Sequence, residues 1–226
     1  PAWLGEAATI LLADELTAQG FPAFGREDRV LAFERLNVPL SPGLTRATMV
    51  RIAELMGASD VVFGDVTYGA EMTIRARAIR LDTGQLLPEV REAGSLPDVF
   101  PVIGRLARSI GQRLGRGPST PPVRLPSLPL PVLENYIKGL MAATPASQQK
   151  FLEAAMTQAP QDGRVLTVLW GVYSSIGVHD KALAVASAVP LASPQYRLAR
   201  WQVALSLIEL RRFDGALKEL ATLQAA

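Results

Sequence analysis

The segment GVHDKAL, residues 177–183, returns in altered form as RRFDGAL, residues 211–217. The two segments share D-x-A-L at the same offset, so Ala182 corresponds to Ala216. Pro160 and Pro194 have the same separation as these two alanines. A small residue early in a second helix and a proline after it, repeated with a period of about 34 residues, is typical of stacked helical hairpins. The sequence therefore predicts successive hairpins in this part of the chain.

Large apolar residues follow the same period in the helix that precedes each segment. The pairs are Leu169 with Val203, Tyr173 with Leu207, and Ile176 with Leu210. The alanines let two helices approach closely, and the large residues fill the seam between them. Pro190 precedes Pro194 by one helical turn, so we expect the second helix of the middle repeat to end early.

With these residues, the region 132–226 resembles a tetratricopeptide array. We expect about three helical hairpins there and no strand. The earliest, PVLENYIKGLMAATPASQQKFLEAAMTQAP (131–160), fits more loosely and is out of register at its first helix. It is interpreted as a degenerate first repeat that caps the array.

The single histidine, His179, falls at the turn between the two helices of the middle repeat. Phe213 occupies the corresponding place in the next repeat. A position that takes histidine in one repeat and phenylalanine in another indicates packing. Catalysis would also need a partner base or nucleophile, and the sequence nominates none.

A proline-rich stretch, GRGPSTPPVRLPSLPLP (115–131), separates this region from the first half. Its six prolines fix φ and remove backbone donors, so it is expected to be extended rather than helical. We therefore place a first domain at 1–116, a linker at 117–131 and the repeats at 132–226. The alternative use of this stretch is as a ligand for a polyproline-binding module.

The first half mixes helical and strand patterns, which predicts an α/β domain with a small mixed sheet and an α+β fold overall. Alternation in EMTIRARAIRL (71–81) predicts a strand with one apolar side, formed by Met72, Ile74, Ala76 and Ala78. Asp82-Thr83-Gly84 predicts a turn into the second strand of a hairpin. Pro88 predicts that this second strand lies at an edge or carries a bulge.

Three helices are predicted in the same half. One follows WLGEAATILLADELTAQG (3–20) and ends at Gly20. Another is expected to open at Ser41-Pro42 and to end at Gly57. A third, DVFPVIGRLARSIGQRLG (98–115), has Asp98 at or near its N-cap. The inward side chains of the second helix are predicted to be Leu44, Met49, Ile52 and Leu55. After this helix, SDVVFGDV (59–66) is expected to be a buried strand.

Residues 3–113 resemble the TolB-like N-terminal domain, which is related to the CsgG and FlgO outer-membrane families. The strongest fragments are AELMGASDVVFGDV (53–66) and RLDTGQLL (80–87). The resemblance implies a bacterial protein of the cell envelope or periplasm, the cytoplasm being the alternative, and it brings no active site. Family members usually begin with a strand before the first helix, and they often carry tetratricopeptide repeats after the domain. We therefore expect both ends of this sequence to be truncated.

Composition narrows the chemistry further. The formal net charge of +2, from 23 basic and 21 acidic residues without a run of like charges, does not indicate nucleic-acid binding. The sequence has no cysteine, which excludes disulfides, thiolate nucleophiles and zinc–thiolate sites. No G-x-G-x-x-G or P-loop motif is present, so no cofactor or metal is predicted. No apolar stretch is long enough to span a bilayer, and membrane association is expected only through segments outside this sequence.

These observations favour a non-enzymatic interaction or scaffold protein that binds a helix or an extended peptide in the groove of the repeats. The predicted partner-binding residues are Arg164, Thr167, Ser174, Ser175, Trp201, Leu205 and Glu209. Trp201 has an alternative interpretation. The helix over 194–210 is apolar nearly all round, which is also compatible with Trp201 packing in the core or being covered by a further repeat.

The second hypothesis is a small-molecule sensor with a ligand pocket lined by Arg75 and Arg77 in the first half. The simpler expectation is that these arginines pair with Glu89, Glu92 or other acids across the strands. A catalytic function would require a cluster of carboxylates with shifted pKa values in a cleft.

Overall fold

The computed structural model describes residues 2–38, 44–115 and 127–225. The chain is α+β and divides into two compact units, Pro1–Ser127 and Leu128–Ala226. In the first unit the elements are α1 (Ala2–Ala18), α2 (Arg26–Arg35), α3 (Arg46–Leu55), β1 (Asp60–Tyr68), β2 (Met72–Arg80), β3 (Gln85–Leu86), β4 (Val90–Gly94), a 3₁₀ turn (Leu96–Asp98) and α4 (Val99–Arg113). In the second they are α5 (Leu130–Met141), α6 (Pro145–Gln158), α7 (Gly163–Ser175), α8 (His179–Ser187), α9 (Tyr196–Glu209) and α10 (Phe213–Ala225).

The sheet of the first unit is built around β2. This strand pairs with β1 along its whole length, and with β3 and then β4 on its other side. Every described pair is antiparallel, so the predicted mixed sheet is wrong. The strands are antiparallel because short turns connect each of them to the next, whereas a parallel pair needs a long crossover connection.

The alternation along β2 is confirmed. Met72, Ile74, Ala76 and Ala78 are all buried, and α4 packs against this side of the sheet. The contact is close, because a Cβ on Gly94 of β4 would lie 2.7 Å from a methyl carbon of Val102 in α4. The apolar stripe of α4, the apolar side of β2 and the buried side of α1, which packs against α4, therefore make the core of this unit.

The predicted irregularity at Pro88 is also confirmed. Ile79 lies opposite Leu86, whereas Ala76 lies opposite Val90. Three steps along β2 therefore match four steps on the partner side, which places one additional residue in the stretch that contains Pro88. The additional residue is a bulge that splits the predicted second strand into β3 and β4.

The predicted buried strand and the predicted inward position of Leu55 are wrong. The segment 59–66 lies in β1, at one end of the strand order, and none of the residues of β1 is buried. Helix α3 begins at Arg46, where Thr45 is the N-cap and its hydroxyl accepts a hydrogen bond from the Thr48 N–H. Ser41 and Pro42 lie outside the described residues. Leu55, predicted to point inward, is 45% exposed, because Ile52 and Ala53 form the buried side of α3 and Leu55 projects away from it.

The second unit consists of helices in the part of the chain that the structure describes. Helices α5, α7 and α9 begin at Leu130, Gly163 and Tyr196, and helices α6, α8 and α10 begin at Pro145, His179 and Phe213. The starts of successive pairs therefore follow the sequence period of about 34 residues. The first pair keeps this spacing, although its side chains match the later pairs poorly. Helix α8 ends at Ser187, before Pro190, as the sequence predicts.

The start of this unit differs from the expected linker. Residues 116–126 lie outside the described residues, but Leu128 is buried and α5 already begins at Leu130. Pro129 is the N-cap of α5, and Pro131 lies in its first turn. Proline is compatible with a first helical turn because the N–H it lacks has no partner there. The expectation that the whole stretch is extended is therefore wrong for Pro131, which is helical.

The core of the second unit joins α6, α7, α8 and α9. Its buried members include Leu152, Leu166, Leu169, Tyr173, Ala182, Val185, Val189 and Ala199. The Tyr173 hydroxyl donates a hydrogen bond to Glu153 Oε1 at 2.6 Å, and the amide of Gln149 donates to the same oxygen at 2.8 Å. Lys181 of α8 lies over the Tyr173 ring, 5.4 Å from its centre. A single tyrosine therefore ties three consecutive helices together.

Candidate functional site

An apolar surface runs along one side of α9. Leu198 is 50% exposed, Trp201 48% and Ile208 40%, and Leu205 between them is half-buried. At 3.6 residues per turn, these four positions fall within about 80° of the helix circumference. We call these four residues the Trp201 surface. An apolar stripe that includes a half-exposed tryptophan is a common mark of a recognition surface.

The other side of α9 is fully used inside the unit. Ala199, Gln202, Val203 and Ser206 are all buried. The Trp170 indole N–H donates to the Ser206 hydroxyl at 2.8 Å, and the Gln202 amide donates to the Thr167 carbonyl at 3.2 Å. Helix α9 thus lies against α7 through small and weakly polar side chains. The Trp201 surface is what this arrangement leaves open.

The repeat relates positions on α7 to positions on α9. One repeat further along the chain, Thr167 corresponds to Trp201 and Ser174 corresponds to Ile208. Thr167 is 7% exposed because α9 covers it, whereas Trp201 is 48% exposed. Thr167, which the next helix covers, therefore has an exposed counterpart on α9 in the described structure.

Helix α10 fixes α9 from a third direction. Arg200 of α9 forms an ion pair with Glu219 of α10, and its guanidinium carbon lies 5.9 Å from the centre of the Tyr196 ring. Helix α10 adds two exposed apolar side chains, Phe213 and Leu217. The end of the unit therefore carries more exposed apolar residues than its interior helices do.

The predicted partner-binding residues do not form one continuous groove. Trp201 and Glu209 are exposed and Leu205 is half-buried, so these three lie on or beside the Trp201 surface. Their side chains can meet a partner. The expectation that Trp201 packs in the core is wrong, because it lies on the side of α9 opposite its contacts with α7 and α8.

The four predicted residues of α7 are less available. Thr167 is buried, and its hydroxyl donates to the Gly163 carbonyl at 2.7 Å, so its predicted contact with a partner is wrong. The Arg164 guanidinium is held by the Asp162 carboxylate at 2.8 Å, near the start of α7. Ser175 is exposed and Ser174 is half-buried. Sequence reasoning missed Leu198 and Ile208, which the i, i+3, i+7, i+10 spacing around Trp201 would have indicated.

His179 is the first residue of α8. Its side chain is half-buried, and Nδ1 is buried with no hydrogen-bond partner among the described residues. Phe213, its counterpart, is 56% exposed. The position at the start of the second helix is as predicted, and no nucleophile or acid is paired with the imidazole in the described structure.

The arginines of the sheet are paired with acids. Arg75 binds Asp65 through two nitrogens, at 2.8 and 3.2 Å, and this contact raises the pKa of the guanidinium. Arg77 Nε lies 3.2 Å from Glu89, which is one of the acids predicted from the sequence. Arg80 reaches Asp60 at 3.7 Å. These ion pairs occupy the groups that an anionic ligand would need.

One small cavity lies in the first unit. It has a volume of about 60 Å³ and is lined by Thr9, Ile10, Ala13, Asp14, Phe24, Gly25, Arg26 and Arg29. That space is well below the size of a typical metabolite pocket. Neither Arg75 nor Arg77 lines it.

The carboxylate of Glu153 is stabilised in its charged form. The hydrogen bond from Tyr173, assisted by that from Gln149, lowers the pKa of Glu153. Burial, followed by this hydrogen bond, raises the pKa of Tyr173. A general acid at neutral pH needs the opposite shift for its carboxyl group. Among the described residues, no group of three or more histidine or acidic side chains is arranged to hold a metal ion.

No protein-family model and no curated protein matches this sequence. Within the described ranges, no helix combines the length and the apolar character that a membrane span requires.

Proposed function

We propose that this chain is a non-enzymatic protein-interaction module that binds an α-helix or extended peptide of a partner through the Trp201 surface. The observation that carries the proposal is the apolar stripe of Leu198, Trp201, Leu205 and Ile208 on α9, whose reverse side is committed to the core. Partners usually gain most of their affinity from a few aromatic and aliphatic anchors, with tryptophan the most enriched.

The arrangement of helices supports a tetratricopeptide-like array for the second unit. The helical pairs follow a period of about 34 residues, which is the length of a tetratricopeptide repeat. The small residues of the motif, Ala182 and Ala216, are 0% and 3% exposed. Such an array offers an extended surface rather than a closed pocket. It therefore suits recognition of a segment of another protein.

The charges around the Trp201 surface indicate the chemistry of that segment. Glu209 and Arg197 flank the apolar stripe with one charge of each sign, and Arg200, the other arginine of α9, is paired with Glu219. An acidic or basic tail would find little complementarity here. An amphipathic helix or an extended apolar peptide fits better.

The TolB-like character of the first unit and an envelope location stay predictions from sequence resemblance. The sensor hypothesis is not supported by a particular observation, because Arg75 and Arg77 are engaged by Asp65 and Glu89. We therefore assign binding to the second unit and give the first unit no ligand.

The test is selection from a displayed library of random peptides, each about four helical turns long, on immobilised residues 1–226. Each round includes counter-selection against Trp201→Ala. Leu191→Ala is the matched control, because Leu191 is 77% exposed and lies outside the Trp201 surface. We expect enriched peptides that bind wild type and Leu191→Ala alike and bind Trp201→Ala about tenfold more weakly or worse. Absence of any Trp201-dependent sequence would contradict the proposal.

A further inference from the structure

Helix α2 of the first unit has an apolar side that it shares with α3. Its buried side chains, Ala32 and Phe33, form a small cluster with Ile52 of α3. The partly buried side chains packed against this cluster also lie in or beside these two helices: Leu36, Val38, Leu44 and Met56. The described members of the cluster therefore join α2 to α3 and include no residue of α1.

The contact of α2 with α1 is ionic instead. Glu6 of α1 accepts hydrogen bonds at one carboxylate oxygen, Oε1, from Arg26 Nε at 3.0 Å and from Arg29 Nη2 at 2.7 Å. The side chain of Glu6 is 22% exposed and those of the two arginines are 24% exposed, so salt ions can approach them. We call Glu6, Arg26 and Arg29 the Glu6 clasp. It connects the first turns of α2 to α1.

The seam between α1 and α2 is incompletely filled. The cavity of about 60 Å³ lies in this seam, with Thr9, Ile10, Ala13 and Asp14 of α1 on one side and Phe24, Gly25 and the two clasp arginines on the other. Closely packed protein interiors contain few voids larger than a water molecule. The seam therefore depends more on the Glu6 clasp than on close apolar packing.

We propose that the α1–α2 seam is a conformational switch that opens and closes at the Glu6 clasp, with α2 moving away from α1 while it stays packed on α3. The inference lies outside the proposed interaction function and does not depend on it. Gly20, which has a φ of 86° and lies directly after α1, provides a turning point between the two helices. The movement separates two helices and does not unfold α2, because the apolar cluster with α3 is kept.

Ionic strength controls the opening in this arrangement. Attraction between partly exposed charges weakens as the Debye length falls from roughly 30 Å at about 0.01 M salt to roughly 3 Å at about 1 M. Replacing Glu6 by glutamine has the same direction of effect, because it removes the negative charge that lies between two guanidinium groups. The contact between α2 and α3 is apolar, so neither change weakens it.

Spin labels can measure the distance between the helices directly. The chain has no cysteine, so introduced cysteines are its only thiols. Residues 1–226 with Ala2→Cys and Leu31→Cys carry one label on α1 and one on α2, both at exposed positions. A second protein, with Ala2→Cys and Gln112→Cys, reports on α1 and α4 through an exposed position of α4. Pulsed electron–electron double resonance gives the distance distribution of each pair at about 0.02 M and about 0.5 M sodium chloride.

We expect the α1–α2 pair to show a short and a longer distance. The ratio of longer to short should rise about threefold or more at high salt, and equally in Glu6→Gln at low salt. Salt should have no further effect in Glu6→Gln. The α1–α4 distances should stay unchanged throughout.

Glu15→Gln is the matched control. Glu15 is a half-buried carboxylate of the same helix, but it lies towards α4, since a Cβ on Gly104 would be 3.8 Å from its Oε2 atom. This variant should give the distances and the salt response of the wild-type protein.

Four results would overturn the inference. The first is an α1–α2 distribution that responds neither to salt nor to Glu6→Gln. The second is a salt response that persists in Glu6→Gln, because the screened charges would then lie elsewhere. The third is a parallel change in the α1–α4 pair, which would indicate loosening of the whole unit. The fourth is a loss of helical circular dichroism in Glu6→Gln, because α2 would then unfold instead of moving.

Discussion

The indole N–H of Trp170 in α7 donates a 2.8 Å hydrogen bond to the Ser206 hydroxyl in α9. Ser206 is 1% exposed and in turn donates to the Gln202 carbonyl at 3.0 Å. This pair joins the second and third helical pairs of the array at a point where both side chains face each other across the seam.

Loss of this hydrogen bond should weaken the array. Ser206→Ala leaves the half-buried Trp170 donor without its acceptor, and we expect the free energy of unfolding to fall by about 1–2 kcal/mol. Urea denaturation followed by circular dichroism measures the change. Ser187→Ala, at an exposed site in the last turn of α8, is the control and should stay within about 0.5 kcal/mol of wild type. Equal losses for the two variants would show that the Trp170 bond contributes nothing specific.

Two helix glycines should respond in opposite directions to alanine. A Cβ on Gly139 of α5 would lie 2.7 Å from Leu152 Cγ, whereas a Cβ on Gly171 of α7 would have no atom within 4 Å. We expect Gly139→Ala to destabilise the fold by about 1–3 kcal/mol through overpacking. Gly171→Ala should stabilise it by about 0.5–1 kcal/mol, since alanine favours the helix. Thermal or urea unfolding distinguishes the two, and stabilisation by both would place α5 and α6 further apart than described.

Glycine is also required in the sheet. A Cβ on Gly64 of β1 would collide with the carbonyl oxygen of Arg75 in β2, whereas a Cβ on Gly69 in the following turn would meet nothing within 4 Å. Because the obstacle is backbone, Gly64→Ala should cost about 3 kcal/mol or more, and Gly69→Ala should change stability little. Trp3 is the tryptophan of this unit, so its fluorescence during denaturation, measured with Trp170 and Trp201 replaced by phenylalanine in each protein, checks the result. A wild-type transition for Gly64→Ala would contradict the β1–β2 register.

The Tyr173–Glu153 hydrogen bond should make stability depend on pH. Its presence lowers the pKa of Glu153 in the folded state, so its contribution is full above the ordinary glutamate value of about 4.3. That contribution is lost as the pH falls through the lowered folded pKa. We expect Tyr173→Phe to cost about 1–2 kcal/mol at pH 7 and clearly less near pH 2.

Urea titrations of wild type and Tyr173→Phe at several pH values test this expectation. Tyr68→Phe is the control, because Tyr68 is 52% exposed. A difference between wild type and Tyr173→Phe that stays constant with pH would show that the ring environment, and not the hydrogen bond to Glu153, accounts for the loss.

Local patterns in the sequence predicted several elements of the fold. The alternation along β2, the bulge near Pro88 and the early end of α8 each follow from one or two side chains and simple backbone rules. The period that relates Ala182 to Ala216 likewise reappears in the starts of α7 to α10. Patterns of this kind depend on neighbours in the chain and can be read without the tertiary structure.

Other features depend on what lies next to a segment in space. The run in β1 is as apolar as a buried strand, but its place at one end of the strand order leaves it half-exposed. Thr167 has the spacing of a groove residue, yet α9 covers it. Trp201 has the same spacing and is exposed, because the described chain places no helix over it. No periodicity separates these two cases; only the packing of the next helix does.

The most direct test of the interaction function is the dissociation constant of the tightest peptide selected from the random library. We would measure it by fluorescence anisotropy for residues 1–226 and for the Trp201→Ala and Leu191→Ala variants, after circular dichroism has verified that all three are folded. We expect similar constants for wild type and Leu191→Ala and an increase of about tenfold or more for Trp201→Ala. Equal constants for all three proteins would contradict the assignment of binding to the Trp201 surface.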